Sequence, residues 1–84
     1  MAVIAIVEGI RITIYPQDHA PPHFHARIAE YEAMFSIATG DIIEGSLPRS
    51  ELHVLAAWYV AHKDEIAYLW REVQANRPIR RIDR

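Results

Sequence analysis

The residues with the clearest chemical potential lie between Asp18 and His25, where the chain reads Asp-His-Ala-Pro-Pro-His-Phe-His. This stretch holds three of the five histidines in the protein, a carboxylate and two adjacent prolines. Imidazole and carboxylate groups bind zinc, copper, nickel and iron, and histidine also exchanges protons near neutral pH. The stretch therefore indicates a metal site or a site of proton transfer.

The spacing of the histidines predicts how they are positioned. Side chains alternate between the two faces of a β-strand, so a strand through Phe24 places His23 and His25 together on the outer face. Pro21 and Pro22 restrict the backbone and favour an extended path before them. We therefore expect the preceding loop to be stiff and to lie close to the strand.

The predicted site is a mononuclear metal centre. Its ligands are taken from His19, His23 and His25, with Asp18 and Glu30 completing the site or orienting an imidazole. Cysteine is absent, so thiolate ligands and disulfides are excluded, and the expected metal is a divalent transition ion such as Zn, Ni, Cu or Fe.

Two other uses of these residues stay open. His19 and His23 could instead form hydrogen bonds with the loop backbone, with His25 exposed and without a ligand. The histidines could also serve a ribonuclease, although that chemistry needs cations at the phosphate and only Arg27 shares their strand face. The similarity of His-x-His plus Glu30 to a cupin metal motif is discounted, because the flanking glycines are missing and the second half is helical.

The first half of the chain predicts strands that would carry this site. Apolar and polar residues alternate most clearly from Ile10 to Tyr15, and short turn-forming segments separate the neighbouring runs. Short connections favour antiparallel neighbours. We therefore predict an α+β fold that begins with an antiparallel β-meander of three to five strands within residues 3–45, from runs at residues 3–7, 10–15, 23–28, 32–38 and 42–45.

The second half predicts helix, because residues 49–76 contain no glycine or proline. An apolar stripe with steps of three and four residues would pack on one face of the sheet. A single helix of this length measures about 42 Å, whereas a globule of this size is about 30 Å across. We therefore favour two helices with a break near residues 62–64; one overhanging helix would instead predict a homodimer through the helices.

Length and charge suggest one domain over residues 1–76 and a basic C-terminal tail over residues 77–84. Residues 1–76 carry five basic and ten acidic side chains, whereas the tail carries four arginines and one aspartate. An acidic body makes a nucleic-acid partner unexpected, and we expect the tail to be solvated. The apolar stretch at residues 1–7 is too short for a signal sequence or a membrane span, so a cytoplasmic location is expected.

The motifs together resemble a bacterial family of unknown function, the domain-of-unknown-function family 4160. The resemblance rests on the strand at residues 12–15, the motif at residues 18–25, the Gly-Ser-Leu-Pro-Arg segment at residues 45–49, and the helix with Trp58 and Trp70. It implies a small protein encoded beside another small protein, in a unit of toxin–antitoxin type. It implies no catalytic or metal residues, since none is established for the family.

The leading functional expectation is a non-enzymatic binding module that works with a small protein partner. Its surface would be the face of His19, His23 and His25, with or without a bound metal. The alternatives are a metal-dependent enzyme of unknown substrate and a metal-free ribonuclease toxin.

Overall fold

The protein is an α+β fold, as the sequence predicts, and a computed structural model describes its residues 2–82. A five-stranded sheet precedes one C-terminal helix. The elements are β1 (Ala2–Val7), β2 (Ile10–Ile14), β3 (His23–Ile28), β4 (Tyr31–Ser36), β5 (Ile42–Ser46) and α1 (Arg49–Gln74).

The sheet is the predicted antiparallel meander, with its strands in chain order and each paired to the next. Because side chains alternate between the two faces of a strand, every second side chain of the central strands points toward α1. In that layer Phe24 pairs with Phe35, and the two rings stack with centroids 5.2 Å apart. Trp58 of α1 meets Phe24 edge-on at 5.9 Å. The core therefore lies between one face of the sheet and the inner face of the helix.

The predicted helix break near residues 62–64 is wrong, because α1 runs without interruption from Arg49 to Gln74. Nothing in this segment forces a break: it lacks glycine and proline, and Lys63, Asp64 and Glu65 are all tolerated inside a helix. Its buried positions extend from Leu55 to Val73, about 27 Å apart along the axis. Most of the helix therefore packs on the core. No helix within residues 2–82 is long and apolar enough to cross a bilayer.

The C-terminal segment differs from the solvated tail that we predicted. Ile79 and Ile82 pack against the core, and the Ile82 backbone N–H donates a hydrogen bond of 2.7 Å to the Ile4 carbonyl. The segment thus returns alongside β1 because its isoleucines bury apolar surface there. Arg84, which belongs to the predicted tail, lies outside the described residues.

Candidate metal centre

The candidate site lies where the loop of residues 15–22 meets the start of β3 and the last turns of α1. Gln74 ties the loop to the helix: its side-chain amide donates to the Tyr15 carbonyl at 2.9 Å, and its side-chain oxygen accepts from the Asp18 backbone N–H at 3.2 Å. One residue at the end of α1 therefore fixes both the entry of the loop and the position of Asp18.

His23 is buried, with 1% of its side chain exposed, although the sequence predicted that it faces outward. The strand alternation is right, but the loop and Trp70 cover this position; the Trp70 and His23 rings lie 5.4 Å apart. The Nδ1 atom lies 2.7 Å from the Pro21 carbonyl oxygen. A carbonyl only accepts hydrogen bonds, so Nδ1 carries a proton and donates it. The Nε2 atom is thereby directed at Asp18.

Asp18 is the group around which the site is arranged. Its Oδ2 atom lies 2.8 Å from His23 Nε2 and 3.6 Å from His25 Nε2. Burial alone would raise the pKa of Asp18, but the charge of His23 and the contacts with His23, His25 and the His19 backbone N–H outweigh it and lower the pKa. The carboxylate is therefore ionised at neutral pH and available as a ligand.

The Nε2 atom of His25 faces the same carboxylate from beyond hydrogen-bond length. This atom is buried and forms no hydrogen bond among residues 2–82, since 3.6 Å to Asp18 exceeds hydrogen-bond length. On the other side of the ring, Nδ1 lies 3.7 Å from a carboxylate oxygen of Glu32, and Tyr15 packs edge-on at 4.7 Å. A buried polar atom without a hydrogen bond costs about 1–3 kcal/mol, so this nitrogen calls for an explanation.

The three donor atoms form a group of the size that a metal needs. One ligand atom each from Asp18, His23 and His25 lies within 4.8 Å of the other two. Metal–nitrogen and metal–oxygen bonds are about 2.0–2.2 Å long, so two ligands of one ion lie at most about 4.4 Å apart. In a tetrahedral site two such ligands are about 3.4 Å apart, so the widest pair would have to approach by about 1–1.5 Å. The Nε2 atom of His23 and Oδ2 of Asp18, now 2.8 Å apart, would have to separate slightly to admit the ion.

Comparison with known families shows the family to which the chain belongs but assigns it no activity. The sequence profile of the domain of unknown function DUF4160 matches residues 9–71. The protein is a DUF4160 protein. The matched span contains the loop, the candidate site and α1 as far as Arg71, as the sequence motifs predicted. No curated protein and no solved structure matches this DUF4160 chain.

Two of the predicted site residues of this DUF4160 protein lie outside the group of three donors. His19 is 83% exposed, and its Nδ1 atom lies 3.5 Å from the other oxygen of Asp18, Oδ1. Glu30 is exposed in the turn after β3, and the six-residue strand separates it from His23 by roughly 20 Å. His19 therefore lies at the mouth of the site, whereas Glu30 lies at the opposite end of the strand.

Four residues that contribute to the site were not predicted to do so. Strand alternation could have found Glu32, which lies on the neighbouring strand β4 and on the same sheet face as His25. It could also have found Tyr15, which directly follows β2 and continues the alternation of Thr13, the residue opposite His25. Trp70 was named only as part of the family resemblance, and the sequence carries no signal for the role of Gln74. Its contact with the loop joins residues more than 50 positions apart.

Proposed function

We propose that this DUF4160 protein is a binding module that holds one divalent transition-metal ion through Asp18, His23 and His25. The observation that carries the proposal is the buried Nε2 atom of His25, which lies 3.6 Å from the Asp18 carboxylate and forms no hydrogen bond among residues 2–82. A metal ion between these donors would satisfy that nitrogen and neutralise part of the charge on Asp18.

The donor set restricts the class of metal. Two imidazoles and one carboxylate suit Zn, Ni, Cu or Fe(II), and three protein ligands leave further positions for water or another ligand. The hydrogen bond from His23 Nδ1 to the Pro21 carbonyl supports this use, because metal-binding histidines usually donate their second nitrogen to such an oxygen. This bond fixes the ring so that Nε2 faces the site.

The main competing interpretation is structural. In it, the contacts of His23 with Asp18 and the Pro21 carbonyl hold the loop, and no metal takes part. The two interpretations differ at His25, which contributes no hydrogen bond to that arrangement. A substitution of His25 therefore separates metal binding from loop stability.

The test is a calorimetric titration of untagged protein with Zn²⁺ and Ni²⁺. We expect saturation at about one ion per chain for the wild type and at least a tenfold loss of affinity for His25→Ala. His53→Ala is the matched control, since His53 is exposed on α1, and it should bind as the wild type does. Absence of saturable binding, or equal affinities for the two variants, would contradict the proposal.

A second candidate function is binding of a small protein partner, as in a toxin–antitoxin-type pair. The exposed outer strand β5 favours it, because Ile42 and Ile43 are 38% and 45% exposed there. Val60 and Tyr68 on α1 are also exposed and would serve a homodimer through the helices. Co-purification of the product of an adjacent gene with the wild type, and its loss with Ile43→Lys, would support the partner function.

A further inference from the structure

A second concave site shares Trp70 with the surroundings of the metal donors. A groove of about 630 Å³ runs between α1 and the segment that joins β4 to β5. Its volume lies within the range of about 300–1,000 Å³ that is typical of sites for small molecules. Pro22 and Trp70 line the groove, and both also border the His23 site.

The aromatic wall of the groove is held in place before any ligand binds. The Tyr59 hydroxyl donates a hydrogen bond of 2.6 Å to the Ile37 carbonyl, and this fixes the ring at the groove. Gly40 leaves room for that ring, because a Cβ atom at this position would lie 2.7 Å from Tyr59 Cε2. Trp70 is fixed by its contact with His23. The two rings therefore form a preorganised apolar surface.

The rim of the groove is positively charged, although the body of the protein is acidic. Lys63 and Arg71 both line it, and neither forms a salt bridge among residues 2–82. They lie eight residues apart on α1, about 12 Å along the axis, and their long side chains can converge on one anionic group. Among residues 2–82, Asp64 is the one acidic residue that lines the groove.

We propose that this groove binds a nucleoside monophosphate. The flat base would lie against Trp70, and the phosphate would accept hydrogen bonds from Lys63 and Arg71. The Asp64 carboxylate would accept from a sugar hydroxyl or a base amine, and Tyr59 would close the far end of the groove. Aromatic side chains stack on the ring face of any nucleobase, and lysine and arginine recognise phosphate through charge-assisted hydrogen bonds. This inference does not require that a metal binds at His25, so the two proposals can fail separately.

The test uses the fluorescence of Trp70, with Trp58→Phe as the background so that one tryptophan remains. We expect saturable quenching by AMP, at least tenfold weaker binding of adenosine, and no quenching by inorganic phosphate. The double variant Lys63→Gln/Arg71→Gln should weaken AMP binding at least tenfold. Arg27→Gln removes an exposed charge on the other face of the sheet, and it should change the affinity less than twofold.

Two results would overturn this inference. One is quenching by AMP that does not saturate, and the other is equal affinity for AMP in the double variant and in Arg27→Gln. If Trp58→Phe does not fold, calorimetric titration of the wild type and of the same charge variants gives the same comparison. His25→Ala should bind AMP as the wild type does, which separates this site from the metal centre.

Discussion

At the scale of single residues, the Asp18–His23 pair has two consequences. His23 donates from Nδ1 to a carbonyl and directs Nε2 at an ionised carboxylate, so both of its nitrogens contact atoms that only accept. A metal ion at Nε2 must therefore replace the contact of this nitrogen with Asp18. Protons compete with a metal ion for imidazole and carboxylate donors, so acidification is expected to weaken metal binding.

The same pair predicts an acid-dependent loss of stability. The pKa of Asp18 is lower in the folded protein than its ordinary value of 3.8, so its contribution is present above that value. The contribution is lost as the pH falls through the lowered folded pKa. Asp18→Asn should cost about 1–3 kcal/mol of unfolding free energy at pH 7, because the buried His23 then faces a neutral amide in place of a charged carboxylate.

Urea denaturation with a chelator present, at pH 7 and near pH 3, measures this effect. The difference between the wild type and Asp18→Asn should be large at pH 7 and should shrink at the acidic pH. A difference that stays the same at both pH values would show that the Asp18 charge does not stabilise the fold.

At the scale of elements, the strands could be predicted closely from the sequence. The apolar–polar alternation within each run and the turn residues between the runs indicate the same strand bounds. The single helix was not predicted, because comparing helix length with the diameter of the globule is a weak guide to whether a helix breaks. Such a helix can run obliquely across the sheet and still bury Leu55 and Val73. The candidate site was predicted in part: the motif indicates His23, His25 and Asp18, whereas Gln74 depends on contacts with the loop that local patterns do not encode.

The uninterrupted helix can be tested with Lys63→Pro. If α1 ended before this position, proline would be tolerated as a first helical residue. Inside a continuous helix, it removes a hydrogen bond and should cost about 3 kcal/mol or more. Lys63→Ala is the control and should leave the unfolding free energy within about 0.5 kcal/mol of the wild type. Circular dichroism during urea denaturation checks both variants.

The pairing of β4 with β5 depends on Gly45. A Cβ atom here would overlap with the Glu32 carbonyl oxygen, whereas at Gly9 the nearest atom lies at 3.8 Å. Both glycines have φ above +80°, so backbone strain is similar in the two alanine variants. Gly45→Ala should therefore be less stable than Gly9→Ala by a further 1–3 kcal/mol, roughly, in thermal or urea denaturation. Equal stabilities would show that the strands separate there at little cost.

At the scale of the whole molecule, a sheet with one helix on one face is a small core for 84 residues. The C-terminal segment adds to it, because Ile79 and Ile82 pack beside β1. The charge of the arginines suggested a solvated tail, but burial of the two isoleucines decides the position of the segment. Hydrophobic burial outweighs the preference of the charged side chains for solvent, and Arg80 between the isoleucines stays exposed.

This contribution predicts that Ile79→Ala/Ile82→Ala lowers the unfolding free energy by about 2 kcal/mol, since both side chains are partly buried. Arg80→Ala, in the same segment and exposed, should change it by less than about 0.5 kcal/mol. Urea denaturation compares the two. Equal effects would mean that the segment does not stabilise the folded body.

Metal content tests the central claim most directly. Elemental analysis of untagged protein, equilibrated with Zn²⁺ and then passed through a desalting column, should give about one ion per chain for the wild type and for His53→Ala. His25→Ala should retain less than about a tenth of that amount while keeping its folded circular dichroism spectrum. A metal-free wild type, or a His25→Ala protein that keeps its metal, would contradict a site built on Asp18, His23 and His25.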